Sequence, residues 1–151
     1  MNHSDILKEE RIIKNGRETI KVWGKEKAII FHEGMAGKIM DLKKGFGSSL
    51  HAHTKGKWEC FYILSGRMLL NLLDTGTGKE NWYICKPDDI IEINRGIPHQ
   101  FIGIEDTRFV EFVVTSDKST GETDNARYSV SRAYSDEEIL GLMNIAEEKE
   151  V

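Results

Sequence analysis

No run of apolar residues approaches the ~20 that a membrane span requires; the longest are short, such as residues 109–110 and 112–114 on either side of Glu111. The first residues, Met1-Asn2-His3-Ser4-Asp5, lack a basic flank leading into an apolar core, so no secretory signal is expected. Cysteine is scarce. Cys60 and Cys85 form neither a CxxC pair nor a disulfide framework, and they read as reduced, partly buried thiols of a cytoplasmic protein. Positive charge is not in excess either: 21 Lys plus Arg stand against 25 Asp plus Glu, a net charge of −4. That balance argues against sequence-independent binding of nucleic acid. Proline is down to two residues, and neither an internal repeat nor a low-complexity tract occurs. With 39% hydrophobic and 30% charged residues, disorder is excluded for most of the length. The 151 residues fit one domain. A chain of that size buries roughly 68–70% of its unfolded surface and needs no staples.

What is present is glycine, fourteen residues of it, between short runs rich in β-branched and aromatic side chains. The runs fall at residues 18–23, 27–32, 38–42, 60–64, 67–73, 82–85, 90–93, 100–104 and 109–115. Turn chemistry such as Lys44-Gly45-Phe46-Gly47, Ser65-Gly66 and Arg95-Gly96 separates them. Short strands punctuated this regularly predict an all-β sandwich or barrel. Helices are expected only at the ends. Ser135-Asp136-Glu137-Glu138 is a capping box, and Ile139, Leu140, Leu142, Met143 and Ile145 supply an apolar stripe for a helix running to about Glu148. Ser4 is the expected cap of a short helix over residues 5–10, and residues 116–125 read as a long polar loop.

The informative stretch runs from Gly45 to Gly66. His51 and His53, two apart, share one face of a strand, and Glu59 opens the next. Forty residues later, Asn94-Arg95-Gly96-Ile97-Pro98-His99 brings a third histidine to a loop–strand junction. Three imidazoles and one carboxylate gathered inside a small barrel make a divalent transition-metal site. His3 and His32 read as solvated or structural.

The joint spacing of Gly45, His51, His53, Glu59 and Gly66 resembles the first motif of the cupin superfamily, and the match is complete. The second motif matches in part: Gly96 and His99 are in place, while Asn94 stands where proline is usual, Asp89 where glycine is usual and Gly103 where asparagine is usual. The resemblance implies a cupin double-stranded β-helix, a jelly-roll barrel, with short terminal helices. Its core would lie at about residues 20–115 of a single domain spanning 1–151, followed by a loop and helix over 116–151. It also implies one divalent ion (manganese, zinc, iron, nickel or cobalt) held by His51, His53, Glu59 and His99.

Val22-Trp23-Gly24-Lys25-Glu26, Ser49-Leu50-His51-Ala52-His53, Lys57-Trp58-Glu59 and Asp124-Asn125-Ala126-Arg127-Tyr128 look like small sugar-isomerase cupins. The similar groups are the D-lyxose isomerase-like cupins and the C-terminal domain of the bifunctional mannose-6-phosphate isomerases, which usually carry glutamine where this chain has His51. The resemblance implies aldose–ketose isomerisation of a small-molecule sugar or sugar phosphate. The alternatives are an iron-dependent dioxygenase and a non-catalytic cupin that binds a small ligand.

Glu111 is the only charge in the apolar run 109–114, and period two places it with Phe109 and Val113. Facing inward it is the candidate catalytic base; facing outward it is a solvated carboxylate. Lys38 is the second catalytic candidate, and Tyr62 and Arg127 are candidate substrate-binding residues. Arg127 has the fork geometry to hold a phosphate. Trp58, Phe61, Phe101 and Phe112 read as barrel lining or core, Glu92 as solvated, and Cys60 as pointing away from its neighbour Glu59. A homodimer is expected, with residues 67–73 and the C-terminal helix under the second subunit.

Overall fold

In a computed structural model of the chain, which describes residues 16–32, 34–54, 56–115 and 125–148, the apolar runs pair into two antiparallel sheets. The strands are β1 (Glu18–Lys21), β2 (Gly24–His32), β3 (Met35–Leu42), β4 (Phe46–Gly47), β5 (His51–His53), β6 (Lys57–Ser65), β7 (Met68–Asp74), β8 (Lys79–Cys85), β9 (Ile90–Ile93), β10 (His99–Gly103), β11 (Thr107–Thr115), β12 (Asn125–Arg127) and β13 (Arg132–Ala133). The one helix among the described residues, α1, spans Asp136–Glu147. The first sheet runs β1-β2-β3-β11-β6-β9; the second runs β12-β5-β10-β4-β13, with β7 joining β10 to β8. Together they form the jelly-roll barrel. The expected helix over 5–10 and most of the expected loop over 116–125 lie outside the described residues. Asn125 is not loop: it opens β12, which pairs with β5.

Period-two alternation decides what faces inward. On β11, Thr107, Phe109, Glu111, Val113 and Thr115 are buried while Arg108, Phe112 and Val114 are exposed. On β6, Glu59, Phe61 and Ile63 face in, and Cys60 faces the other way. Phe112 and the half-buried Trp58 therefore lie on the outer face of the first sheet, not in the barrel, because each is an odd step from an inward neighbour. Phe61 and Phe101 are core, as expected.

The inward rows change character along the barrel. Ile63 and Phe61 give way to Glu59 on β6, Phe109 to Glu111 on β11, Leu42 and Met40 to Lys38 on β3, and Phe101 to His99 on β10. The apolar end is closed by Phe61, Phe101, Phe109 and Trp23, whose rings meet edge-on or tilted at centroid separations of 5.1–6.3 Å. Burying one such ring contributes about 1.5–3 kcal/mol. The polar end is left to function.

A second, smaller apolar layer lies outside the second sheet. Ser135 caps α1: its hydroxyl accepts from Glu138 N–H, and the Glu138 carboxylate accepts from the Ser135 backbone N–H. Ile139, Leu142, Met143 and Ala146 then pack over Leu69, Trp82, Ile102 and Ile104. Leu140 and Ile145, expected in the same stripe, point to solvent because 100° per residue carries them to the opposite face. Residues 67–73 are not a free surface: Met68 and Leu70 are in the barrel core and Leu69 is under α1.

Two turn positions explain motif residues. Gly66 has φ +80, and a Cβ there would run into the Asp106 carbonyl oxygen and Thr107. The left-handed residue of the turn before β9 is Asp88, φ +74, one earlier than the Asp89 assigned to the motif's glycine position.

Candidate metal centre

His51 and His53 project from β5 into the barrel, and His99 opens β10 directly opposite His51. The ligand nitrogens of the three rings lie within 4.8 Å of one another. Glu59, 3% exposed, comes in from the other sheet: Oε1 is 3.1 Å from His53 Nε2 and Oε2 is 2.9 Å from His99 Nε2. Two backbone carbonyls orient the rings. His51 Nδ1 donates to Ser49 O at 2.8 Å and His99 Nδ1 donates to Ile97 O at 3.0 Å. A carbonyl can only accept, so Nδ1 carries hydrogen in both rings and Nε2 is the nitrogen turned to the site.

The electrostatics suit a cation. Burial, helped by the His99 charge, lowers the His51 pKa to about 4, which keeps that ring neutral and ligand-ready at pH 7. Burial alone would raise Glu59, but the hydrogen bonds from His53 and His99 outweigh it and hold the carboxylate well below its ordinary range. His99 is raised despite its burial, because Glu59 and the Ile97 carbonyl both favour the charged ring. The three imidazoles could hold a single divalent transition-metal ion, and the Glu59 carboxylate lies beside two of them. All four residues expected from the spacing are brought together.

His51, His53 and Glu59 line a cavity of about 920 Å³. Glu111 and Lys38, cross-strand partners on β11 and β3, line it as well. Glu111 is buried, and its pKa is raised to about 7 by burial and then by the Glu59 charge. Lys38 Nζ lies 3.2 Å from Glu26 Oε1, with Lys21 Nζ at 3.7 Å from the same oxygen. Glu26 was missed in the sequence: within Gly24-Lys25-Glu26-Lys27 it reads as part of a solvated charged strand, yet it is 7% exposed and lines the cavity. Alternation was the available signal, since Glu26 steps inward with the cavity-lining Ala28. Arg127 lines the cavity from β12, opposite His51. Tyr62 does not reach it. It stands on the outer face of β6, where its hydroxyl donates to Asp88 Oδ1 at 2.7 Å, so a role in substrate binding is not supported. Glu92 is exposed on β9, as expected.

Residues 38–115 match the family model of the cupin domain, and the chain belongs to that family. A search of curated proteins found no match. Among solved structures, oxalate decarboxylase from Bacillus subtilis at pH 4.6 is similar at a TM-score of 0.63 and 20% identity, over 76% of this chain and 30% of that one. The formate complex of the Lactobacillus farciminis oxalate decarboxylase is similar at a TM-score of 0.63 and 17% identity, over 81% of this chain and 38% of that one. The likeness is one of fold. This chain spans about a third of the length of those proteins.

Proposed function

We propose that the chain is a metal-dependent aldose–ketose isomerase acting on a sugar or sugar phosphate. The observation that carries this reading is the buried Glu111 carboxylate, placed in the same cavity as His51, His53 and Glu59, with His99 paired opposite His51. His51, His53, Glu59 and His99 would hold a divalent ion, which would supply Lewis acidity to a substrate carbonyl and hydroxyl. Glu111 moves the proton. With a pKa raised to about 7 by burial, it is present in both protonation states near neutrality, so it takes a proton from one carbon of the enediol pair and returns it to the other. Lys38, anchored on Glu26, donates hydrogen bonds to a substrate oxygen beside Glu111. The low-dielectric wall of Phe101, Met40 and Val113 strengthens each of these interactions.

The test is turnover of a panel of aldoses, ketoses and their phosphates by metal-reconstituted protein, in D₂O and under argon. Deuterium incorporation at the carbon next to the carbonyl is expected. Consumption of oxygen with iron, and no isomerisation, would replace this reading with the dioxygenase. Oxalate belongs in the panel because the similar solved structures are named as oxalate decarboxylases.

Homodimerisation and a cytoplasmic location belong to the same proposal. The supporting surface is the outer face of the first sheet, where Ile30, Phe112 and Val114 are 39–43% exposed, rather than residues 67–73. A mass of 17.2 kDa in light scattering would contradict the dimer. Cys60 and Cys85 are both free thiols, which suits a reducing compartment. No helix among the described residues is long and apolar enough to cross a membrane.

A further inference from the structure

Two edge strands flank the cavity mouth, β1 of the first sheet and β12 of the second. Each carries cations to the inside. On β1 and the residue before it, Arg17, Thr19 and Lys21 line the cavity, together with Ile20, which is 77% exposed. Lys57 opens β6 two residues before Glu59 and shares its inward face. Arg127 pairs directly with His51 across β12 and β5, so the two side chains leave the same face of the sheet with Cβ atoms about 5 Å apart.

Among the described residues, and counting Lys38, five cations line the cavity with three carboxylates, Glu26, Glu59 and Glu111. The acids Glu26 and Glu59 are already engaged, by Lys38 and Lys21 and by His53 and His99 respectively. Arg17 and Arg127 have no carboxylate partner among the described residues. A neutral sugar gives Arg17 and Arg127 nothing to neutralise.

We infer that the substrate is an oxyanion, a molecule carrying a carboxylate or phosphate that Arg127 clamps bidentately beside the metal centre. This rests on the proposed isomerase reading only for the rest of the molecule being sugar-like. The planar guanidinium matches either group, and its place opposite a metal ligand sets the anion a short carbon chain from the reacting carbons. Lys57 and Arg17 complete the electrostatic collar and steer the anion inward.

The experiment is calorimetric binding of D-fructose, D-gluconate and D-fructose 6-phosphate to the full chain, with and without added manganese, for wild type, Arg127→Gln and Arg127→Lys. At least one anion is expected to bind about tenfold or more tightly than fructose, about 1.4 kcal/mol. The preference should shrink with added salt, collapse in Arg127→Gln and be partly kept in Arg127→Lys, with metal content unchanged. Which anion wins separates carboxylate from phosphate. Equal binding of all three ligands overturns the inference. So does a preference untouched in Arg127→Gln, which would leave the inward cations as a guard against edge-to-edge pairing. Anion preference without isomerisation of any sugar retires the isomerase and keeps this inference; equal turnover of neutral and anionic sugars does the reverse.

Discussion

His99 lies directly opposite His51 where β10 pairs with β5, and their ring centroids are 4.6 Å apart. That one register joins the two motifs into a single site. A slip of one residue would turn His99 to the far face of the sheet and leave His51, His53 and Glu59 without it. The consequences of the arrangement can be measured one at a time.

Metal uptake should release protons. His99 has a carbonyl acceptor on Nδ1 and a carboxylate oxygen 2.9 Å from Nε2, so its ring holds two hydrogens and its pKa is raised. Ligation needs the Nε2 lone pair. Calorimetric titration of chelator-treated protein with manganese should show a heat that depends on the buffer's ionisation enthalpy. Affinity should fall as pH drops. A heat independent of buffer would contradict the assignment.

Replacing Glu111 with Gln should spare the metal and abolish the chemistry. The substitution is nearly isosteric, and His51, His53, Glu59 and His99 are all left in place. Turnover is expected to fall by about 10²–10⁴, with metal content and substrate binding within about twofold of wild type. Comparable kcat in the two proteins would remove Glu111 from the reaction.

The same variant should change the pH dependence of stability. The Glu111 pKa in the folded chain is raised from 4.5 to about 7, by burial first and the Glu59 charge second. Between those pH values the folded state keeps a proton that the unfolded chain has released, so stability falls as pH rises through that window. Above it, the full penalty of a buried anion applies. Glu111→Gln escapes this. In metal-free protein its stability should match the wild type near pH 4 and exceed it increasingly toward pH 8, by up to about 3 kcal/mol, with Tm rising in step. Parallel Tm curves would show that Glu111 ionises normally.

Gly66→Ala should be costly although no side chain is lost. The residue sits at φ +80, and the added Cβ meets the backbone of Asp106 and Thr107, which cannot swing aside. A loss of at least about 2 kcal/mol is expected, a Tm drop of roughly 4–8 °C for a chain of this size. Gly96→Ala, also at positive φ but with nothing within 4 Å of the new Cβ, should cost less.

Much of this was legible in the residues. The three-histidine cluster and Glu59 beside it were readable because the spacing of His51, His53 and Glu59 encodes strand faces, and His99 completes a known pattern. Period two grouped Glu111 with Phe109 and Val113 and left the face open; the structure buries all three. Alternation cannot say which of two faces is inside. That is why Phe112 and Tyr62 were placed in the barrel or its site when they lie outside it. Glu26 was hidden because Lys25 and Lys27 beside it dominate the local charge, and its burial depends on Lys21 and Lys38 from neighbouring strands. The two- and three-residue strands β4, β12 and β13 have no local signal: their pairing comes from the barrel's closure.

The most direct measurement is elemental analysis of purified, reconstituted wild type beside His51→Ala and His99→Ala, with circular dichroism to show that each is folded. One equivalent of a divalent transition metal in the wild type, lost in both variants, is the predicted result. Absence of metal from the wild type, or retention of a full equivalent in both folded variants, would contradict the metal centre on which the proposed chemistry depends.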